Sequence, residues 1–143
     1  MASGELMQIG EVAERTGLSL RTIRYYEEVG LVVPSARSQG GFRLYTDADI
    51  DRLLVIKRMK PLDLSLEQVR ELLGIVDRLT GRPRLPARER AALRQTLRGY
   101  EEAARARAEY LQAQLRTVRE FTADIAGHLA ALESVAPPAP AHR

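Results

Sequence analysis

Apolar residues recur at helical spacing in four short stretches and one long one, with a single alternating stretch between them. Met7 and Ile9 open the pattern, and Val12 and Ala13 continue it in a short helix expected over Gly10–Thr16 and closed by Gly17. Leu20, Ile23 and Tyr26 lie three apart and share the buried side of a second helix, Leu20–Val29. Ser19 stands at its N-cap, where a hydroxyl accepts from an unpaired N–H one turn in. Gly30 supplies the left-handed residue that ends it. The period then changes. Phe42 and Leu44 alternate with Arg43 and Tyr45, as a strand requires. Ser38-Gln39-Gly40-Gly41 forms the turn of a hairpin whose first strand ends near Arg37. Helical spacing returns in Ile50, Leu53, Leu54, Ile56 and Met59, behind a Thr46 N-cap with Asp47 and Asp49 in the first turn, where the helix dipole favours acid. Pro61 ends that helix. Ser65-Leu66-Glu67-Gln68 has capping-box spacing, and Leu66, Val69, Leu72, Leu73 and Val76 follow as the stripe of a fourth helix.

The last stretch differs in length. From Ala87 to Ser134 little in the chain stops a helix, and at about 1.5 Å per residue it would run on the order of 70 Å. Leu97, Ala104, Leu111, Val118, Ile125 and Leu132 recur every seventh residue, and Leu93, Ala108, Leu115 and Leu129 widen the stripe. A strict seven-residue repeat sustained this far indicates a coiled coil. One helix this long cannot bury its stripe against a small headpiece, so the expectation is a homodimer. The whole predicts a mainly α fold, a winged helix-turn-helix with a small β-hairpin wing followed by a long coiled-coil helix. Residues 7–79 form the headpiece, 80–86 (TGRPRLP from Thr80) a breaker-rich linker, 87–134 the dimerisation helix and 135–143 a proline-rich, disordered tail.

Composition narrows the chemistry. The chain has no cysteine, which excludes disulfides, thiolate metal sites and thiol redox switches. His128 and His142 are far apart and offer no ligand cluster, so no metal is expected. No nucleophile–base pair or phosphate-cradling glycine loop is present, and Asp47, Asp49 and Asp51 are explained by helix start and exposure. Catalysis and a bound cofactor are therefore not expected, with a small-molecule effector left open. No apolar run approaches the roughly 20 residues that cross a bilayer. The start, MASGELMQIG, lacks the basic and apolar regions of a leader. The expectation is a cytoplasmic protein with no membrane partner.

Net charge is only +3, and residues 1–60 hold nine Lys/Arg against eight Asp/Glu, so charge totals barely argue for nucleic acid. Placement says more, because the arginines of that part include Arg21, Arg24, Arg37 and Arg43. With one side of the second helix buried, Arg21, Thr22, Arg24 and Tyr25 are left on other faces. Guanidinium groups fork onto phosphates or guanine edges, and tyrosine hydroxyls donate to phosphate oxygens. A helix flanked by an arginine-bearing wing suits duplex DNA. The plain alternative pairs Arg21 and Arg24 with Glu27 and Glu28 at helical spacing. Tyr26 is expected half buried, its hydroxyl reaching a phosphate. From Arg82 to Arg119 ten arginines face four acids (10 − 4 = +6), favouring a solvated coiled-coil flank over a phosphate-binding surface. Tyr100, Tyr110 and Phe121 read as interface packing, with an effector pocket as the other reading.

The segment IGEVAERTGLSLRTIRYYEEVGLVVPSARSQGGFRLYTDADIDRL, Ile9 to Leu53, continued by MKPLDLSLEQVRELL, resembles the MerR-type transcription regulators. The resemblance covers about half the chain, and the pairing of TIRYYEEVGL with GGFRLYT is its most specific part. It implies a headpiece with two wings, the Arg37–Tyr45 hairpin and a second around Lys60–Leu64, and a dimer joined by an antiparallel coiled coil. It also implies binding to a near-palindromic promoter whose overlong spacer the dimer distorts so that RNA polymerase engages both elements. An excisionase-like architectural protein, bending DNA without controlling polymerase, is the alternative. Carried onto this chain, Arg21 and Arg24 reach into or along the major groove, and Ser19 and Thr22 are counted among the DNA-binding residues. Tyr25, Tyr26, Arg37, Gly41, Phe42, Arg43 and Tyr45 meet the backbone or brace the wing, and Arg58 and Lys60 are second-wing contacts. The seam would be Leu97, Ala104, Leu111, Leu115, Val118, Ile125, Leu129 and Leu132. Metal- and redox-sensing members carry cysteines that this chain lacks. Asp63 stands where the family usually has glycine, and aspartate tolerates the left-handed conformation better than most residues.

Overall fold

The computed structural model describes residues 6–81 and 84–134. Helices α1 (Ile9–Thr16) and α2 (Leu20–Glu28) are joined across Gly17, whose φ of 74° is left-handed and whose N–H donates to the Ala13 carbonyl. A Cβ there would lie 2.9 Å from Lys57 Nζ. That amine, the far end of a flexible side chain, donates to the Thr16 carbonyl at 2.8 Å, and it is the left-handed backbone that calls for glycine. Ser19 Oγ accepts from the Thr22 N–H at 3.1 Å, as an N-cap should. At the other end of α2, Gly30 has φ 81°. Its N–H bonds the Glu27 carbonyl while the Leu31 N–H bonds that of Tyr26, the paired bonds of a Schellman motif.

The wing gains a strand that the sequence did not announce. Strands β1 (Met7–Gln8), β2 (Ala36–Arg37) and β3 (Arg43–Tyr45) form an antiparallel sheet in the order β1–β3–β2. Met7 lies opposite Tyr45, and Ala36 opposite Leu44. Pairing with β1 turns the Tyr45 side of β3 to the core. Tyr45 is fully buried and Phe42 is 64% exposed, so Tyr45 braces the wing from within while Phe42 stands outward.

Helix α3 (Asp47–Met59) opens on a capping box between Thr46 and Asp49 and runs into one turn of 3-10 helix, Lys60–Leu62. Asp63 then adopts φ 58°, ψ 41°, the left-handed conformation anticipated at that position. Helix α4 (Leu66–Thr80) opens on the Ser65–Gln68 capping box. Helix α5 covers Ala87–Ser134, 48 residues. Val12, Ile23, Val32, Tyr45, Leu53 and Leu73 are the most enclosed side chains of a core completed by Met7, Leu18, Tyr26, Leu31, Ile50, Ile56 and Met59. Leu20 and Leu54, read as buried positions, are instead 39% and 36% exposed, each at the edge of its helix's inner face. Arg52 ties three segments together. Its Nε donates to the Leu31 carbonyl at 2.6 Å, and Nη1 reaches both Asp77 oxygens at 3.0 and 3.1 Å.

Two compact units divide at Leu93–Arg94. The first turns of α5 belong to the headpiece unit, where Glu89 pairs with Arg78 of α4. The second unit is the remainder of α5, and from Ala108 to Ser134 every residue is exposed in the single chain. The expected disordered tail, 135–143, and residues 82–83 of the expected linker lie outside the described residues.

Candidate nucleic-acid interface

Helix α2 buries Ile23 and Tyr26 and turns Arg21, Arg24 and Tyr25 outward. The plain pairing of these arginines with Glu27 or Glu28 is not formed. Among the described residues no hydrogen bond or ion pair holds Arg21 or Arg24, so both guanidiniums face solvent ready for an outside acceptor. Ser19 and Thr22, at the start of the helix, bond each other through their hydroxyls at 2.9 Å. Tyr26 is 7% exposed, deeper than the half-buried position expected of it. Its ring meets that of Tyr25 at 5.9 Å and 53°, and burial, then Tyr25, raises its hydroxyl pKa.

Glu27 has a different task. Its carboxylate turns toward the wing, where Arg43 Nε donates to one oxygen and the Tyr45 hydroxyl donates to the other at 2.9 Å. Of the two roles open to Tyr45, bracing the wing is the one its place permits. Arg43 engages Glu27 through Nε, and its side chain remains 36% exposed. Arg37 donates through Nη1 to the Gly41 carbonyl at 3.2 Å and stiffens the loop tip. Phe42 stands out from that tip, with Gly40 directly beneath its ring. Glu27 was not among the expected site residues. Its contacts lie 16 and 18 residues away, and helical spacing pointed only to Arg24.

Burial, then the hydrogen bond to Glu27 and its charge, push the Tyr45 hydroxyl far above the usual phenol range. The unfolded chain ionises that group near pH 10 while the folded chain keeps it protonated. Its contribution to stability is therefore complete below about pH 10 and is lost as pH climbs from there toward the folded value. Tyr45→Phe is expected to flatten the fall of the melting temperature above about pH 10, read by circular dichroism. A fall as steep as in the unaltered chain refutes the assignment.

The expected second wing begins as α3 ends. Arg58 and Lys60 are exposed there. A cavity of about 280 Å³ lies between Lys60, Asp63 and Leu64 on one side and Tyr25 and Tyr26 on the other, so α2 and the turn after α3 border one depression. On α5, Leu97 and Ala104 are half-buried, whereas Leu111, Leu115, Val118, Ile125, Leu129 and Leu132 are exposed large apolar groups. Tyr110 and Phe121 are exposed beside them.

Residues 7–74 match the family described as MerR HTH family regulatory protein. Over 71 residues the chain is 45% identical to the mercuric resistance operon regulatory protein of Bacillus cereus, covering 50% of this chain and 54% of that one. The chain spans about half the length of the curated relatives it matches. Among solved structures, the transcription regulator PbrR691 from Ralstonia metallidurans CH34, in complex with lead(II), is 30% identical. It superposes with a TM-score of 0.50 over 94% of this chain and 91% of that one. HiNmlR, a MerR family regulator lacking the sensor domain and bound to promoter DNA, shares the fold at 23% identity. Its TM-score is 0.62, with 92% and 98% covered. Motif, fold and relatives agree, and the chain belongs to the MerR family of helix-turn-helix regulatory proteins.

Proposed function

We propose that this chain is a dimeric, sequence-specific transcription regulator that binds a near-palindromic promoter and distorts its spacer so that RNA polymerase engages both promoter elements. The observation that carries the reading is the contrast among headpiece arginines. Arg21 and Arg24 stand unpaired among the described residues on the outer face of α2, while Arg43 is held at the root of the wing beside it. Free guanidiniums on a helix suit base edges and phosphates in the major groove, and a fixed one on a wing suits the flanking backbone. Bending a site costs on the order of a few kcal/mol, offset by contacts on both sides. Two headpieces provide those sides.

The sequence of α5 supports both the dimer and its direction. Residues 87–119 hold eight arginines and four acids (8 − 4 = +4), while 120–134 hold three acids and no Lys or Arg (0 − 3 = −3). An antiparallel pair lays the acidic end of one helix along the basic part of the other. A parallel pair stacks like on like, which costs stability at flanking positions.

Arg24→Ala is the direct test. The probe is a duplex that the unaltered chain selects from random-sequence DNA, in a gel shift at physiological salt. Loss of a base contact should cost roughly 1–3 kcal/mol and relax preference at one base position. Unchanged affinity and preference remove α2 as the reading helix. Run-off transcription from a promoter carrying the selected site separates regulation from architecture, because a protein that merely bends DNA leaves transcript levels unchanged.

A further inference from the structure

We propose that Glu27 is a positioning residue for DNA recognition, aiming the Arg43 guanidinium outward and fixing the wing to the recognition helix so that both meet the duplex as one body. The inference rests on the DNA-binding reading above.

Glu27 sits in the last turn of α2, and its side chain is only 12% exposed, against 36% for Arg43. Enclosing a carboxylate is costly unless its oxygens find donors. Both do, one from Arg43 Nε and one from the Tyr45 hydroxyl, the two residues that share a face of β3. A guanidinium gripped through Nε has lost its rotation. The end of the fork formed by its two Nη groups is not the edge that Glu27 holds through Nε, and that end matches two oxygens of a phosphate. Tyr45, fully buried, anchors the same carboxylate to the core and so fixes the height of the wing against α2. An acid so close to a phosphate-binding surface would otherwise repel DNA. The sign of its removal is therefore diagnostic.

The test uses full-chain variants Glu27→Ala, Glu27→Gln, Arg43→Ala and the double variant Glu27→Ala/Arg43→Ala. Each is titrated with the selected duplex and with a scrambled duplex of equal length, over a series of potassium chloride concentrations. Glu27→Ala is expected to weaken binding to the selected duplex about tenfold, the loss of one charge-assisted contact. Its salt slope should fall by about one, as for Arg43→Ala. The double variant should bind within about twofold of Arg43→Ala alone, since the two residues act as a unit. Glu27→Gln keeps the shape and removes the charge. Repulsion alone would make it bind both duplexes more tightly, whereas the clamp makes it bind the selected one more weakly. Circular dichroism melts confirm which variants are folded at the assay temperature, and Glu27→Gln carries the test if Glu27→Ala is not. Tighter or unchanged binding by a folded Glu27 variant, or additive losses in the double variant, overturns the inference. Failure of the unaltered chain to select any duplex would instead overturn the functional reading beneath it.

Discussion

A chain carrying Leu111→Glu and Val118→Glu together is expected to sediment as a monomer at micromolar concentration and to lose about 10²–10⁴-fold in affinity for a two-half-site duplex. The two residues are consecutive members of the seven-residue repeat, at the middle of the stripe from Leu97 to Leu132. Both are exposed in the single chain, so the substitution empties no buried site within it. In a dimer it would place four carboxylates on a dry seam, where each uncompensated charge costs several kcal/mol. The size of the affinity loss follows from linkage. A dimer's second headpiece binds at an effective concentration set by the joint, and a monomer has no such second step. Affinity for a half-site should stay within about threefold, because the headpiece is untouched. Sedimentation of the variant as a dimer would refute the seam. Loss of half-site binding as well would mean that the substitution acts on the headpiece.

Ile23→Ala is expected to destabilise the headpiece by about 2–5 kcal/mol, the range for emptying a well-packed aliphatic site. Ile23 is fully buried on the inner face of α2, at the centre of the cluster that includes Val12, Tyr45 and Leu53. A domain whose total stability is on the order of 5–15 kcal/mol cannot absorb that without a visible shift. The melting temperature should fall by roughly 10–30 °C. DNA affinity measured above the lowered midpoint would be lost through unfolding. Below it, affinity should remain near that of the unaltered chain, the reverse of the outcome for Arg24→Ala, which leaves the midpoint in place. A shift of less than about 1 kcal/mol would show that α2 is held by something other than this face.

Much of the architecture was legible because it rests on local rules. Ser19, Thr46 and Ser65 announce helix starts through their own hydroxyls, and the capping boxes at Thr46 and Ser65 close as their spacing implies. Gly17, Gly30 and Asp63 mark turns by the backbone conformation each can adopt. The seven-residue repeat of α5 falls on one continuous helix, and its apolar members from Leu111 on are exposed in the single chain. What escaped reading was non-local. Strand β1 is two residues long, too short for alternation to register, yet its pairing decides which face of β3 is buried. That is why the depth of Tyr45 could not be read from alternation alone. Glu27 looked like a helical neighbour of Arg24 and proved to belong to the wing. Arg52 gave no signal at all, since its partners Leu31 and Asp77 lie 21 and 25 residues away.

Arg52 also bears on how the headpiece responds to force. One guanidinium grips the carbonyl just past the end of α2 and the carboxylate of Asp77 near the end of α4. Arg78, the next residue, pairs with Glu89 in the opening turns of α5. A shove on α4 must therefore either drag the tail of the arginine-bearing helix or snap this fork. One arginine of α3 thus holds the tail of α2 and the end of α4 at a fixed distance from each other.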